Sequence, residues 1–268
     1  AGKSLCYQIT TLLIGKMTIV ISPLQILMVD QYANIKSKLG ITNLALINSA
    51  NRESLQIFEQ AKSMITIISP ERFFSSKFIS ILSKKNLNIG FIVIDEAHCL
   101  SEWGHDFRTS YLCLSHNLAR YFTRDTRLMA LTGTASYRVF EDIDCEFYNF
   151  KKKSTKAIFA DNMKRDNLII DIKKANSLEQ QYNLLLNELT PTIKGIDDNK
   201  TIIFTKTKNN SKQYDSGSHN LAQNIKNDCD ENIDISIINT FSSDDNAESK
   251  NEILNKIKKG NVYCTTNI

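Results

Sequence analysis

Short runs of almost wholly apolar residues, most of them β-branched, alternate with longer segments of helical period over the first 150 residues. A strand with one solvent-exposed face alternates apolar and polar residues, whereas a strand covered by helices on both faces is apolar throughout. The pattern therefore predicts a doubly wound α/β domain with a parallel sheet. The predicted strands are Thr18–Ser22, Leu44–Asn48, Thr66–Ser69, Ile89–Asp95 and Leu128–Thr132, and the predicted helices are Lys3–Leu13, Leu24–Leu39, Asn51–Ser63, Pro70–Lys84 and Ser136–Phe147.

The first predicted helix carries an apolar stripe. Four aliphatic residues recur at the spacing i, i+4, i+7 and i+8, which places them on one helical face. Because a helix of an α/β domain packs its apolar face on the sheet, we expect these four side chains to be buried. They are Leu5, Ile9, Leu12 and Leu13.

A lysine cluster between residues 151 and 156 interrupts this pattern and is typical of a solvated connector. The alternation then resumes more weakly. The sequence therefore predicts a first domain over residues 1–150, a connector over 151–170 and a smaller second α/β domain over 171–268. The strands predicted beyond residue 160 are Ile169–Ile172, Thr201–Thr205, Ile235–Thr240 and Val262–Thr265, and the helices are Leu178–Leu189, Ser218–Lys226 and Ala247–Lys259.

Composition excludes some classes of protein and leaves others open. The 33 basic and 29 acidic residues leave a formal charge of +4, spread evenly, which neither indicates nor excludes a nucleic-acid partner. No apolar run approaches the roughly 18 residues of a membrane-spanning helix, so no membrane partner is expected. The six cysteines include no C-x-x-C pair, so no zinc is expected in this chain, and a reducing intracellular compartment is favoured.

The chain opens with a possible phosphate-binding segment, Ala1-Gly2-Lys3-Ser4, directly before the first predicted helix. A phosphate loop reads G-x-x-x-x-G-K-[ST], and only its last part is present. In such a loop Gly2 lets the backbone approach phosphates, Lys3 reaches the β/γ oxygens and Ser4 holds Mg²⁺. Chance occurrence at a chain start is the alternative for this segment taken alone.

Two adjacent carboxylates, Asp95 and Glu96, end the apolar strand that begins at Ile89. The carboxyl edge of a parallel sheet is where open α/β folds bind ligands, and buried acids there are costly unless they hold a cation or a proton. Asp95 is therefore predicted to coordinate Mg²⁺, usually through water, and Glu96 to orient and deprotonate an attacking water. The alternative is that both residues merely cap the following helix.

A polar segment just beyond these acids contains Trp103, Phe107 and Arg108. Aromatic rings beside an arginine can stack on the bases of single-stranded nucleic acid. The commoner role of loop aromatics is to fix a loop to its domain, and this alternative stays open.

The string D-E-A-H-C-L-S-E-W-G-H-D-F-R, residues 95–108, resembles the Walker B motif and aromatic-rich loop of the RecQ family of superfamily 2 DNA helicases. Other segments resemble further motifs of that family in the same order. They are A-G-K-S-L-C-Y-Q (1–8, phosphate loop), I-S-P-L-Q-I-L-M-V-D-Q (21–31, motif Ia), I-S-P-E-R-F (68–73, near motif Ib), A-L-T-G-T-A-S (130–136, motif III, usually A-L-T-A-T-A), F-A-D-N-M-K-R-D-N-L (159–168, joining segment) and T-I-I-F-T (201–205, motif IV).

This resemblance implies two RecA-like P-loop NTPase lobes with parallel sheets, the second incomplete, which bind ATP with Mg²⁺ and act on single-stranded and duplex DNA. It implies an ATP-dependent helicase of 3′-to-5′ polarity with a role in repair and recombination. A monomer is expected, located in the nucleus of a eukaryote or in a bacterial cytoplasm. The implied roles are catalysis for Lys3, Asp95 and Glu96, nucleotide binding for Ala1, Gly2, Lys3 and Ser4, metal binding for Ser4 and Asp95, coupling for His98, Thr132 and Thr134, and DNA binding for Trp103, Phe107, Arg108, Ser22, Pro23 and Pro70.

The departures from the family pattern concern both ends of the chain. The first glycine of the phosphate loop is absent, and no arginine follows Arg165 to serve as an arginine finger. We therefore expect a fragment or a degraded copy of a helicase, with weak or no ATP hydrolysis by the chain alone. Two other readings stay open: a truncated, non-catalytic nucleic-acid-binding module, and an RNA helicase, which shares the D-E-A-H string.

Overall fold

The computed structural model describes residues 2–48, 53–84, 87–101, 111, 114–122, 126–151, 156–158, 167–194, 200–205, 217–229, 237–241 and 262–266. The chain divides into two compact units, Ala1–Asp161 and Asn162–Ile268. The assignment of residues 151–170 as a connector stays a prediction, because residues 152–155 and 159–166 lie outside the described part.

A five-stranded parallel sheet forms the centre of the first unit, with strand order β2-β3-β1-β4-β5. The central strand β1 pairs with β3 on one side and β4 on the other, so that Ile21 lies beside both Ile68 and Ile94. Because all five strands are parallel, their carboxyl ends meet at one edge of the sheet. The bounds are β1 Met17–Ile21, β2 Leu44–Ile47, β3 Ile65–Ile68, β4 Ile89–Ile94 and β5 Arg127–Ala130.

The helices of this unit agree with the sequence prediction in most places. The predicted helix Pro70–Lys84 is two helices, because the Ser75 hydroxyl accepts a hydrogen bond from the Phe78 N–H and starts a new one. The helix Leu114–Tyr121 was not predicted, and the helix Glu53–Glu59 is shorter than expected. The bounds are α1 Lys3–Ile14, α2 Gln25–Leu39, α3 Glu53–Glu59, α4 Pro70–Phe73, α5 Ser76–Lys84, a 3₁₀ helix Ala97–Leu100, α6 Leu114–Tyr121 and α7 Tyr137–Lys151.

Both faces of the sheet are buried, as the apolar strands predict. On β4, Ile92 and Ile94 belong to one apolar cluster, which contains buried side chains of α4, α5, α6 and α7. Val93 belongs to the other cluster, which contains buried side chains of α1 and α2. Successive residues of a strand point to opposite faces, so each strand contributes to two cores at once.

The buried face of α1 differs from the predicted one. Leu13 is 81% exposed, and the other three residues of the predicted stripe are also exposed. Tyr7 and Thr11 are buried instead. The hydroxyl of Thr11 lies 2.8 Å from that of Thr18 in β1, and this hydrogen bond makes burial of a polar residue acceptable. The prediction for Leu5, Ile9, Leu12 and Leu13 was therefore wrong.

The second unit contains a three-stranded parallel sheet, with order β6-β8-β7. Buried residues of α8 and α9, among them Leu189 and Ile225, share one apolar cluster with Val262 and Cys264 of the central strand. The bounds are α8 Leu178–Ile193, β6 Thr201–Thr205, α9 Ser218–Asp228, β7 Ile238–Phe241 and β8 Val262–Thr266.

One predicted strand of the second unit is absent. Residues 169–172 form no strand in the structure, and Ile169 and Ile170 are 95% and 85% exposed. A β-branched run becomes a strand only when it finds a pairing partner, and the described residues supply none for this segment. The predicted helix Ala247–Lys259 lies outside the described residues.

None of the helices in the described part of the chain is long and apolar enough to cross a membrane.

Candidate nucleotide-binding site

The amino end of α1 and the carboxyl end of β4 meet at one edge of the first sheet. The Lys3 amine donates a hydrogen bond to Glu96 Oε1 at 2.8 Å, and both side chains are mostly shielded from solvent, 34% and 23% exposed. Gly2 has φ of +89°, a left-handed conformation that favours glycine, just before α1 begins. Lys3 and the carboxylates after β4 therefore lie at the same edge of the sheet.

The Asp95 carboxylate is buried, with 4% of the residue exposed. Its backbone N–H donates to the Ile21 carbonyl at 2.9 Å and so continues the sheet. Its Oδ1 accepts from the Glu96 N–H at 3.1 Å, and its Oδ2 accepts from the Gln31 amide nitrogen at 2.8 Å. Because each carboxylate oxygen accepts a hydrogen bond, the energetic cost of burying the carboxylate is partly offset.

Glu96 adopts a left-handed backbone conformation, with φ of +47°. In an L-residue other than glycine this costs about 1–2 kcal/mol, and it ends the strand abruptly. In a continued strand, Asp95 and Glu96 would point to opposite faces. Here their side chains instead contact Gln31 of α2 and Lys3 of α1, two helices that pack on the same face. The turn thereby brings two carboxylates to one place.

A chain of close polar contacts leads from Glu96 to the loop after β5. His98 Nδ1 lies 3.4 Å from Glu96 Oε2 and 3.0 Å from Thr132 Oγ1. The Thr134 N–H donates to the same Thr132 oxygen at 3.1 Å. The backbone joins the two segments as well, because the Ala97 N–H donates to the Leu131 carbonyl at 2.9 Å. The three residues predicted to couple, His98, Thr132 and Thr134, are thus neighbours, and their role in coupling stays a prediction.

Gly133 lies at the position where the resembling motif usually has alanine. A Cβ atom at Gly133 would lie 3.3 Å from the Lys3 amine, closer than most real Cβ contacts. The glycine therefore gives the Lys3 amine room beside Glu96.

For several predicted site residues the structure gives no contact at the site. Ser4 lies in the first turn of α1 and is partly buried. Ala1, Trp103, Phe107 and Arg108 lie outside the described residues. Their predicted roles therefore stay predictions.

The residues on either side of the predicted aromatic loop are anchored. The Ser101 hydroxyl donates to the Asp142 carboxylate of α7. The Tyr111 hydroxyl, which is buried, donates to the backbone carbonyl of Asp95 at 3.2 Å. A displacement of Tyr111 would therefore act directly on the strand end that carries the carboxylates.

The residues predicted to bind DNA at the strand-to-helix turns, Ser22, Pro23 and Pro70, are buried. The Ser22 N–H donates to the Ile68 carbonyl, and the Ser69 hydroxyl caps α4 by accepting from the Arg72 N–H at 3.4 Å. Their side chains are therefore not exposed in this structure, and their role in DNA binding stays a prediction. At α4 the observed cap matches the alternative of an ordinary turn, and a DNA contact through neighbouring backbone stays a prediction.

Sequence reasoning did not single out Gln31 or Tyr111, which both bond to Asp95. A signal existed for Gln31, because it interrupts the apolar stripe of α2 between Met28 and Ile35. For Tyr111 the sequence has no comparable pattern.

The donor set fits a magnesium ion that is shared with a nucleotide. Mg²⁺ prefers oxygen ligands and is usually bound by one or two carboxylates together with phosphate oxygens and water. Asp95 and the Ser4 hydroxyl are donors of this kind. Over the described ranges no group of three or more His, Cys, Asp and Glu side chains could hold a metal by itself.

Tyr7 provides a pH test of this part of the fold. Burial raises the pKa of Tyr7 to about 12, and the charge of Asp95 adds to the rise. This rise of the pKa from 10.0 corresponds to about 3 kcal/mol in the free energy of unfolding. That stability is fully present below pH 10, where Tyr7 is neutral in both states, and is lost as the pH rises through 12. We expect the wild type to lose more free energy of unfolding than Tyr7→Phe between pH 10 and pH 11.5, as measured by urea unfolding, because phenylalanine has no group that ionises. A difference between the two proteins that is constant over this range would contradict the prediction.

Comparisons with known proteins identify the family of this chain. Residues 1–143 match the family model described as DEAD/DEAH box helicase. The chain is 35% identical over 212 residues to the ATP-dependent helicase wrn-1 of Caenorhabditis elegans, an alignment that covers 77% of this chain and 19% of that protein. It is 38% identical over 185 residues to the ATP-dependent DNA helicase RecQ of Bacillus subtilis, covering 67% of this chain and 30% of that protein. The chain thus spans less than a third of the length of these relatives.

A solved structure with a similar fold is the DEAD-box helicase Mss116 bound to ssRNA and UDP-BeF, with a TM-score of 0.63 and 16% identity over 94% of this chain and 50% of that chain. This likeness confirms the predicted RecA-like folds with parallel sheets. The family match over residues 1–143, which is more than half of the chain, shows the family. The chain belongs to the DEAD/DEAH box helicases, and its resemblance to the RecQ group is confirmed by the relatives it matches.

Proposed function

We propose that the protein containing this chain is an ATP-dependent DNA helicase of the RecQ type. It couples ATP hydrolysis to 3′-to-5′ movement along single-stranded DNA and to duplex unwinding in repair and recombination. The observation that carries the proposal is the Lys3 amine at 2.8 Å from Glu96, next to the buried carboxylate of Asp95. A cation, a proton acceptor and a metal-binding acid at one sheet edge are the groups that phosphoryl transfer to water requires.

Each residue of the site has a role in this chemistry. Lys3 binds the β/γ-phosphate oxygens, and the backbone at Ala1 and Gly2 approaches the phosphates. Asp95 and the Ser4 hydroxyl would hold Mg²⁺, which would neutralise the charge of the phosphates. Glu96 orients the attacking water and accepts its proton.

The same site communicates with DNA in this proposal. His98 contacts both Glu96 and Thr132, so a change at the carboxylate reaches the loop that contains Thr134. Trp103, Phe107 and Arg108 stack on or bind single-stranded DNA.

DNA rather than RNA is the proposed substrate because of the sequence between residues 95 and 108. That string is tied to the RecQ group, and the relatives named above that resemble this chain include a protein described as a DNA helicase. Residues 1–150 and 171–268 form the two lobes, joined by residues 151–170. The protein acts as a monomer, in the nucleus of a eukaryote or in a bacterial cytoplasm.

ATP hydrolysis with different nucleic acids tests the proposal. The rate is measured in the protein containing this chain, with single-stranded DNA, duplex DNA, and RNA of the same sequence as the DNA strand. We expect single-stranded DNA to stimulate hydrolysis and RNA to have little effect. Lys3→Ala should abolish the stimulated activity because the phosphate contact is lost, whereas Lys36→Ala, on the exposed side of α2, should not.

Two results would contradict the proposal. Stimulation by RNA alone would favour the RNA helicase reading. Equal hydrolysis by the Lys3→Ala and Lys36→Ala proteins would remove the nucleotide site from this sheet edge.

A further inference from the structure

The carboxylate of Asp95 has one side-chain hydrogen-bond donor, Gln31 of α2, among the contacts described above. Gln31 donates its amide N–H to Oδ2 at 2.8 Å, whereas Oδ1 is bonded by the backbone N–H of Glu96. Asp95 is 4% exposed, so bulk water does not replace this donor when it is removed. A buried carboxylate oxygen without a donor is costly, and Gln31 therefore affects the orientation of the Asp95 carboxylate.

Packing alone does not explain a glutamine at this position. Met28 and Ile35, seven residues apart, are buried on the same side of α2, and Gln31 lies between them. An apolar side chain there would extend the buried stripe. Moreover, the amide oxygen Oε1 of Gln31 is buried with no hydrogen-bond partner among the described residues. An amide that leaves its own acceptor unpaired while it donates to Asp95 indicates that the contact with the carboxylate determines the residue.

We propose that Gln31 is a positioning residue for the metal-binding carboxylate of Asp95. The inference rests on the function proposed above, in which Asp95 holds magnesium. Donation to Oδ2 fixes the rotation of the carboxylate group. Residues that orient a metal-binding carboxylate in this way tune the affinity for the metal. Gln31 therefore sets the magnesium concentration at which the nucleotide binds.

The substitution Gln31→Met tests the inference, because it keeps the side-chain length and the helix preference but removes the donor. The matched control is Asn34→Met, which removes an amide one turn further along α2, where Asn34 donates to the Asp30 carbonyl at 2.9 Å. Binding of a fluorescent ATP analogue to the protein containing this chain is titrated with Mg²⁺. We expect Gln31→Met to raise the magnesium concentration for half-maximal binding about tenfold, as the loss of one charge-assisted hydrogen bond implies. Analogue affinity at saturating magnesium should change less than twofold, and Asn34→Met should behave as the wild type.

A double-mutant cycle separates positioning from a merely structural role. If Gln31 acts through Asp95, then Gln31→Met causes no further shift in the magnesium dependence when Asp95→Asn is already present. If Gln31→Met does not fold, Gln31→Asn, whose amide is too short to reach Asp95, is expected to give the same tenfold shift.

A wild-type magnesium dependence of the Gln31 variant, or equal shifts with and without Asp95, would overturn the inference and leave the nucleotide site in place. Failure of the wild-type protein to bind the analogue at any magnesium concentration is a different result. It would overturn the proposed function and this inference with it.

Discussion

Replacing Glu96 with glutamine is expected to slow ATP hydrolysis 100- to 10,000-fold, which is about the contribution of a positioned general base. Glutamine keeps the shape of the side chain and can still accept from the Lys3 amine, but it cannot take a proton from the attacking water. Binding of nucleotide should therefore persist while turnover is lost. Single-turnover hydrolysis and analogue binding, measured on the same Glu96→Gln protein, separate these two effects.

The control for this substitution is Glu141→Gln, which makes the same chemical change at an exposed position on α7. It should hydrolyse ATP at the wild-type rate. A Glu96→Gln protein that retains more than a tenth of wild-type turnover would show that another group accepts the proton, and the assignment of Glu96 would then be wrong.

Truncating Phe78 to alanine should have the largest effect on the stability of the first unit. Phe78 is completely buried and stacks on Phe58, with ring centroids 4.8 Å apart, and its ring lies 5.5 Å from that of Phe73. Removing a buried aromatic side chain from such a cluster typically costs about 3–5 kcal/mol. Denaturant unfolding of Phe78→Ala should show this loss, whereas Phe78→Leu, which leaves a smaller cavity, should lose less.

Lys77→Ala provides the reference for that measurement, because Lys77 is the exposed neighbour of Phe78 on α5. Its free energy of unfolding should stay within about 0.5 kcal/mol of the wild type. A loss below about 1 kcal/mol for Phe78→Ala would mean that the aromatic cluster is not the packed core described here.

The strands of the first sheet could be predicted because their burial on both faces leaves a plain signal. Val20 and Ile21, for example, lie on opposite faces of β1 and are both buried. No polar alternation competes with the apolar run in such a strand. The strand predicted at Ile169–Ile172 is also rich in isoleucine, although Asp171 interrupts it, and it did not form. Strand formation depends on a pairing neighbour that a local pattern does not contain.

The orientation of α1 could not be predicted from periodicity, because the helix has two candidate faces. One is aliphatic and includes Leu5 and Leu13, and the other contains Tyr7 and Thr11. The structure buries the second, where the Thr11 hydroxyl meets that of Thr18. Periodicity ranks a threonine as polar and does not register a hydrogen bond to a strand some residues later in the chain.

In the candidate site, residues with a known motif were predicted and residues that support them were missed. Lys3, Asp95 and Glu96 belong to short strings whose chemistry is readable without a structure. Gln31 and Tyr111 act through contacts across 64 and 16 residues of sequence, which only the fold brings together. Gln31 nevertheless has a local signal, because it is a polar residue between Met28 and Ile35 on the buried side of α2.

The burial of β4 on both faces also decides what a one-residue deletion within that strand would damage. Such a deletion exchanges the two faces of the strand beyond it, and because each face is apolar, most core positions would still receive hydrophobic side chains. The exception is the last position, where Asp95 would replace the buried Ile94. The strand would end one residue later in its sequence, however, with Glu96 at the place of Asp95 and a non-acidic residue, Ala97, at the place of Glu96. The hydrophobic pattern of β4 thus tolerates a one-residue shift that the placement of the two carboxylates does not tolerate. A protein with this deletion would keep much of its sheet, but neither carboxylate would stand at the position that it occupies in the candidate site.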